Sequence, residues 1–191
     1  MSEIKGNELF NQKRFILKNY GEETLKKILE KTGQKTREIY ESPIISGEWY
    51  PLENYLDFID AFENAVSVDA RRAFDMEDAR VQMNSLYRLI IRFIPQKEIY
   101  KRIQSMWDEM FSEGKIYAKE IGKDNVILRL ENFRTSKSHI DGLALYFAKV
   151  GESISNRKVG VKYHIIDDST AEFRMFERTD MANNKNASIT S

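Results

Sequence analysis

An α+β fold, with N-terminal helices packed against a later antiparallel sheet and one helix intervening between its two hairpins, follows from three observations. Apolar residues recur at helical spacing through much of the chain before Gly114, most regularly in WYPLENYLDFIDAFENAV, Trp49 to Val66. After Gly114 the period shortens to two, with β-branched and apolar residues alternating with polar ones. Helical spacing returns once, between His139 and Ile154, before a last pair of alternating runs. Helices segregated from strands in this way argue for helices against an antiparallel sheet rather than a wound parallel one.

Between Asn7 and Tyr20, Leu9, Phe10, Phe15, Ile16 and Leu17 predict a helix ending near Gly21. A second, Glu22 to Lys31, opens with two acids where the helix dipole favours negative charge, buries Leu25, Ile28 and Leu29, and stops at Gly33. Lys35 to Trp49 contains Pro43 and Gly47 without a sustained period and reads as a loop with room for one extended or helical turn, tethered by Ile44 and Ile45. Pro51 suits the first position of the next helix, because its missing N–H has no intrahelical partner there. From that start Leu52, Tyr55, Leu56, Ile59, Phe62 and Val66 define a buried face, while Asn54, Asp57, Asp60, Glu63 and Asn64 meet water.

Asp69 is placed to cap a helix running toward Ile94, broken or kinked near Asp75, with Ala79, Met83, Leu86, Tyr87, Ile90, Ile91 and Ile94 on its apolar face and Pro95 at its end. Ile99, Ile103, Met106, Trp107 and Met110 predict a fifth helix over Gln96 to Ser112. Lys115 to Ile121 and Asn125 to Phe133 form a hairpin, apolar on one face. Ser138 is placed to cap a helix from His139 to Ile154 that buries Ile140, Leu143, Ala144, Phe147 and Val150. Val159 to Ile165 and Ala171 to Met175 form the second hairpin, turned by Asp167, Asp168 and Ser169. One globular domain over 1–178 is expected, and residues 179–191, polar and rich in Asn and Ser, are expected to form a disordered tail.

The chain has 191 residues, and its 30 basic and 30 acidic residues cancel. That neutrality removes the simplest electrostatic case for nucleic acid, so no nucleic-acid partner is expected. Without Cys there is no disulfide, thiolate nucleophile or cysteine-held metal. No run reaches the span of a bilayer and MSEIKGNELF has no signal-like apolar core, so a cytoplasmic location is expected.

Two imidazoles, His139 and His164, are the only ones, and neither has the ligand spacing or oriented partner that metal or acid/base chemistry needs; surface or structural placement is favoured for both. Asp167 with Asp168 reads as a turn. Glycines are dispersed, with no P-loop, GxGxxG or GxSxG arrangement. Arg71, Arg72, Arg80, Arg88 and Arg92 offer a place for an anionic ligand, but a solvated stripe paired with Asp75, Glu77 and Asp78 is favoured. Trp49, Tyr50, Tyr55, Tyr87, Met106 and Trp107 are the candidate lining of an apolar cavity, against the plainer reading that they pack a core.

The Trp49-Tyr50-Pro51-Leu52 stretch, the YLDFIDAF helix, YRLIIRFIP and MWDEMFSEGK resemble an uncharacterised paralogous family known from myxobacteria, and YGEETLKKILEKTG resembles the opening of haem-based nitric-oxide/oxygen-binding domains. The resemblance covers most of Asn7 to Arg178. It implies the helix-plus-antiparallel-sheet architecture that those groups share with vinyl-reductase-type domains and TRAPP subunits. Haem-binding members use a proximal His on the helix before the central strands and a Y-x-S-x-R motif; here Gln96 to Ser112 has no His, and Phe133-Arg134-Thr135-Ser136-Lys137 departs from the motif at Phe133, Thr135 and Lys137. No cofactor is therefore expected. The expectation is a non-enzymatic sensory or ligand-binding module with an apolar pocket for a small hydrophobic ligand, the alternative being a homodimeric interaction or signalling adaptor; a haem-binding gas sensor, which would need His139 or a Tyr as the iron ligand, ranks below both.

Overall fold

The computed structural model describes residues 2–83, 96–122 and 125–178. A short antiparallel ribbon ties the start of the chain to the organising helix: β1 (Glu3–Lys5) pairs with β2 (Trp49–Pro51), Ile4 opposite Tyr50. Both strands are too short to show a period, and neither is anticipated from sequence. Between them run α1 (Gly6–Leu29) and α2 (Gln34–Glu41). Gly21, at φ 80° and ψ 174°, breaks α1 into two helical pieces where the sequence places the break, a conformation that glycine adopts without the steric cost of a Cβ. The segment after Lys35, expected as a loop with one extended or helical turn, is helical for the 8 residues of α2. Its buried positions are Thr36 and Tyr40, so no run of aliphatic residues announces it.

The organising helix, α3 (Leu52–Ala65), starts one residue later than expected, because Pro51 ends β2 opposite Glu3 and the Leu52 N–H donates to the Ser2 carbonyl at 2.9 Å. It buries Leu52, Tyr55, Phe58, Ile59 and Phe62, and Phe58 stacks on Tyr40 of α2 with ring centroids 4.0 Å apart. Asn54, expected in water, is buried: its amide donates to Thr36 Oγ1 at 3.0 Å, and that hydroxyl donates to Asp57 at 2.6 Å.

Helix α4 (Val68–Met83) continues through Asp75 without the expected kink, and Ser67 rather than Asp69 receives a first-turn N–H, that of Ala70, at 3.1 Å. The expected apolar positions Leu86, Tyr87, Ile90, Ile91 and Ile94 lie outside the described residues. The fifth predicted helix is divided at Arg102 (φ −97°, ψ 2°) into α5 (Gln96–Lys101) and α6 (Ile103–Asp108).

Strands β3 (Lys115–Ile121) and β4 (Asn125–Glu131) form the first hairpin, α7 (Lys137–Ser155) follows, and β5 (Val159–Asp167) and β6 (Thr170–Glu177) form the second. The cap of α7 is Ser136, whose Oγ accepts from the His139 N–H at 3.2 Å; Ser138 already lies in the first turn. The four strands pair antiparallel in the order β3-β4-β6-β5. Val126, Leu128, Leu130, Phe173 and Met175 are buried on the face toward α7, where Phe147 meets Phe173 edge-on at 4.9 Å. The opposite face carries Ile127, Arg129, Arg174, Lys162 and His164. Ile4, Ile59, Trp107, Leu128 and Phe173 all belong to one continuous apolar cluster joining helices and sheet. Among the described residues no helix is long and apolar enough to cross a membrane.

Candidate functional site

Four helices converge on a charged interior. Glu8 and Asn11 come from α1, Tyr55 from α3, Arg71, Asp75 and Asp78 from α4, and His139, Gly142 and Tyr146 from α7; the residues from α1, α4 and α7 are three or four apart, the spacing that puts side chains on one helix face. Arg71 is 2 % exposed. Its Nε donates to Asp75 Oδ1 at 2.8 Å, while Nη1 lies 3.7 Å from Glu63 and donates to Ser138 Oγ at 3.5 Å. The Ser138 hydroxyl in turn donates to Glu63, and the Asn11 amide donates to Asp78 at 2.9 Å. Gly142 lets α7 approach this pair, since a Cβ there would stand 2.8 Å from Arg71 Nη2 and 3.2 Å from both Asp75 oxygens. Glu8, Tyr55, Arg71, Asp75, Asp78 and His139 are among the residues enclosing a space of about 40 Å³, room for a water molecule with several polar partners.

His139 is neutral in this interior. Burial, then the nearby Arg71 charge, lowers its pKa to about 3, and its Nδ1 lies 2.6 Å from Thr135 Oγ1. The rings of Tyr55, Phe111 and Phe133 surround it with centroids 5.4, 5.7 and 5.9 Å away. Asp75 moves the other way: burial raises its pKa to about 6 against the pull of Arg71. Stability from His139 is complete above its unfolded pKa near 6.5 and declines as pH falls toward 3, whereas that from Asp75 is complete below 3.8 and declines as pH rises through 6. Between about pH 4 and 6 the two slopes oppose one another. Asp75→Asn is therefore expected to expose the His139 slope, so that unfolding free energy, measured by urea titration, falls relative to the native chain by on the order of 1 kcal/mol per unit of acidification across that window.

A second, shallow space of about 20 Å³ lies between the α5–α6 pair and α7. Ile99, Tyr100, Ile103, Met106, Trp107 and Met110 form one wall of an apolar groove, and Tyr146, Phe147, Val150 and Ile154 form the other. Tyr100 and Ile154 also line a larger cavity of about 360 Å³, whose remaining wall includes Asn125, Val126, Ser155, Arg157, Met175 and Glu177. The groove is hydrocarbon and thioether; the cavity adds amide, hydroxyl and the Arg157–Glu177 ion pair at 2.5 Å.

The structure brings two of the six aromatic and Met candidates together: Met106 is half-buried and Trp107 buried on α6, and both line the groove. Tyr55 is buried on the other side of the core, against His139. Trp49 is on the outer ribbon beneath the Lys5 ammonium, 3.8 Å from the ring centroid, and the Tyr50 hydroxyl accepts from the Ile45 N–H at 3.0 Å. Tyr87 lies outside the described residues. Arg71 departs from the expected solvated stripe by being buried, though its Asp75 partner is the expected one; Arg72 is exposed beside Asp69 at 3.6 Å. His164 is exposed on β5. Ile103, Met110, Phe147 and Val150 are legible from sequence only as apolar helix-face positions, and Tyr100 and Ile154 do not stand out at all, because the spacing that makes a helix face apolar is the same for a packed seam and a groove.

No protein-family model matches the chain and no curated protein matches it. Solved structures do. An H-NOX protein from K. algicida, in its Fe(II) unliganded form, has 14 % identity and a TM-score of 0.66, the match covering 93 % of this chain and 98 % of that one. The S. oneidensis H-NOX protein in the Fe(II)NO ligation state has 12 % identity and a TM-score of 0.64, with 92 % and 99 % covered. The IWP-051-bound H-NOX from Shewanella woodyi, in the Fe(II)CO state, has 15 % identity and a TM-score of 0.63, with 95 % and 98 % covered. The chain thus shares the fold of haem nitric-oxide/oxygen-binding domains.

The described residues do not fit a haem. Helices α5 and α6 have no His, and the buried imidazole, His139, belongs to α7 and is held at Nδ1 by Thr135. Its surroundings are aromatic rings and a space of about 40 Å³, where even a drug-sized ligand takes about 300 Å³ or more. Among the described residues no group of three or more His, Asp or Glu side chains is arranged to hold a metal ion.

Proposed function

We propose that this chain is a haem-free sensory module: a non-enzymatic, cytoplasmic domain that binds a small hydrophobic ligand in the cavity beside Tyr100 and Ile154, with its apolar end toward the groove between α5–α6 and α7. The observation that carries the reading is the junction at Tyr100 and Ile154, where the apolar groove lined by Met106 and Trp107 meets a cavity of about 360 Å³. Volumes of that order suit small organic ligands, and Met side chains adapt to irregular apolar shapes. The ligand that complements these walls has an apolar body for Ile103, Met106 and Val150 and a polar end for Asn125, Ser155 and Arg157. The fold supports the reading in outline, since its structural neighbours include H-NOX proteins in the Fe(II)NO and Fe(II)CO ligation states.

Ile154→Trp tests it by filling the junction from a half-buried position. With N-phenyl-1-naphthylamine as a fluorescent apolar probe, the native chain is expected to show saturable uptake and the variant at least about tenfold weaker uptake at an unchanged far-ultraviolet dichroism spectrum. Equal uptake by both proteins, or none by the native chain, would overturn this placement of the ligand.

A further inference from the structure

The open face of the sheet, away from α7, has one corner where charge is unbalanced. Lys162 on β5 and Arg174 on β6 are both exposed and stand directly opposite each other across the two strands. Arg178, also exposed, follows the end of β6, its Cγ 3.2 Å from where a Cβ on Gly160 would stand. Among the described residues no carboxylate forms an ion pair with any of the three. Nearby cations are matched: Lys119 and Arg129 share Glu172 at 2.6 and 2.9 Å, and Arg157, just before β5, holds Glu177, whereas the Lys162 ammonium has the Phe176 ring beside it, 5.7 Å from the centroid. Glu172, the nearest carboxylate along β6, is thus already taken. Like charges directly opposite in a sheet cost stability, so this corner is a standing cost in the isolated chain that a bound anion would relieve.

Strand β5 is also the edge of the sheet, pairing with β6 alone among the described residues. Its far side therefore offers backbone N–H and C=O groups to an added strand. We propose that an acidic segment of a partner protein docks here, extended along β5, with alternate Asp or Glu side chains reaching Lys162, Arg174 and Arg178. Alternate residues of a strand share one face, so a segment in this register presents its carboxylates together. The chemistry discriminates among occupants. A nucleic-acid strand needs exposed rings to stack on, and the ring in this corner, Phe176, lies over Gly160, its Cζ 2.7 Å from the place of a Cβ there. A second copy of this chain would bring the same cations to the edge. The inference concerns a partner and is independent of the ligand proposed for the groove.

The probe is a fluorescein-labelled peptide of alternating Glu and Thr, followed by fluorescence anisotropy with the full chain, beside a peptide of alternating Gln and Thr and a labelled oligothymidylate. Saturable binding of the Glu peptide is expected, weakened at least about tenfold by Lys162→Gln with Arg174→Gln and unchanged by Lys26→Gln with Lys27→Gln on α1. Lys162→Glu is expected to abolish that binding while raising Tm by about 1–3 °C, since it converts a like-charge pair into an opposite one. A Tm gain with lost binding separates a docking site from a structural role. Absence of Glu-peptide binding, equal binding of the Gln peptide, insensitivity to the double substitution, or tighter binding of oligothymidylate would each overturn the proposal.

Discussion

Replacing Arg71 with Met is expected to lower the free energy of unfolding by about 3–5 kcal/mol, the usual cost of stripping one partner from a buried ion pair. The side chain is nearly inaccessible, and it serves Asp75, Glu63 and Ser138 at once, joining α4 to α3 and α7. Without it, two carboxylates face each other in an interior that burial already makes unfavourable for charge. Removing the same cation should raise the pKa of both Asp75 and His139, since its charge lowers each. The companion substitution Arg71→Met with Asp75→Leu is expected to recover a substantial part of the loss, because an apolar pair leaves fewer buried charges unmatched. Urea denaturation of the single and double variants checks both statements. A single variant within about 1 kcal/mol of the native chain would show that the pair contributes nothing net.

Trp107→Ala is expected to cost a similar amount, about 3–5 kcal/mol. Its indole is 2 % exposed and packs against Phe111 and Phe133 with centroids 4.3 and 4.9 Å away. Nε1–H also donates to the Glu113 carbonyl at 2.8 Å, fixing the turn that leads into β3. Gly114 completes that turn at φ 98°, and a Cβ there would press to 2.9 Å of the indole nitrogen. Trp107→Phe keeps most of the apolar volume and loses the hydrogen bond, so it should fall between, at about 1–3 kcal/mol. Followed by circular dichroism during urea unfolding, the order native, Phe variant, Ala variant is the expected one. An Ala variant costing under about 1 kcal/mol would mean that the aromatic cluster closes over the gap without loss.

Much of the architecture can be read from spacing alone. The face of α3, the break at Gly21, both hairpins and the Asp167 to Ser169 turn have the expected positions, because each is set by local chemistry: helical periodicity, a glycine conformation, strand alternation, an Asp side chain accepting the Ser169 N–H at 2.8 Å. The misses have a shared cause. Helix α2 and the β1–β2 ribbon are stabilised by partners far along the chain, Tyr40 by Phe58 and Ile4 by Tyr50, and neither segment has a period of its own. The same holds for the buried polar residues. Arg71 and Asp75 are visible as a pair four residues apart, but their burial depends on Gly142 and Ser138 of a helix over sixty residues later. For the candidate site, Met106 and Trp107 were legible as apolar and aromatic; that they face Phe147 and Val150 across a groove is a tertiary fact.

The proposal that this H-NOX-like fold binds a small organic ligand and no haem meets its most direct test in one paired measurement: visible absorption and native mass spectrometry of the protein purified after expression with excess haem. The expected result is no Soret band, with a non-covalent organic mass that leaves on denaturation, or the bare chain taking up an apolar probe that Ile154→Trp excludes. A Soret band with a stoichiometric iron porphyrin mass would contradict it.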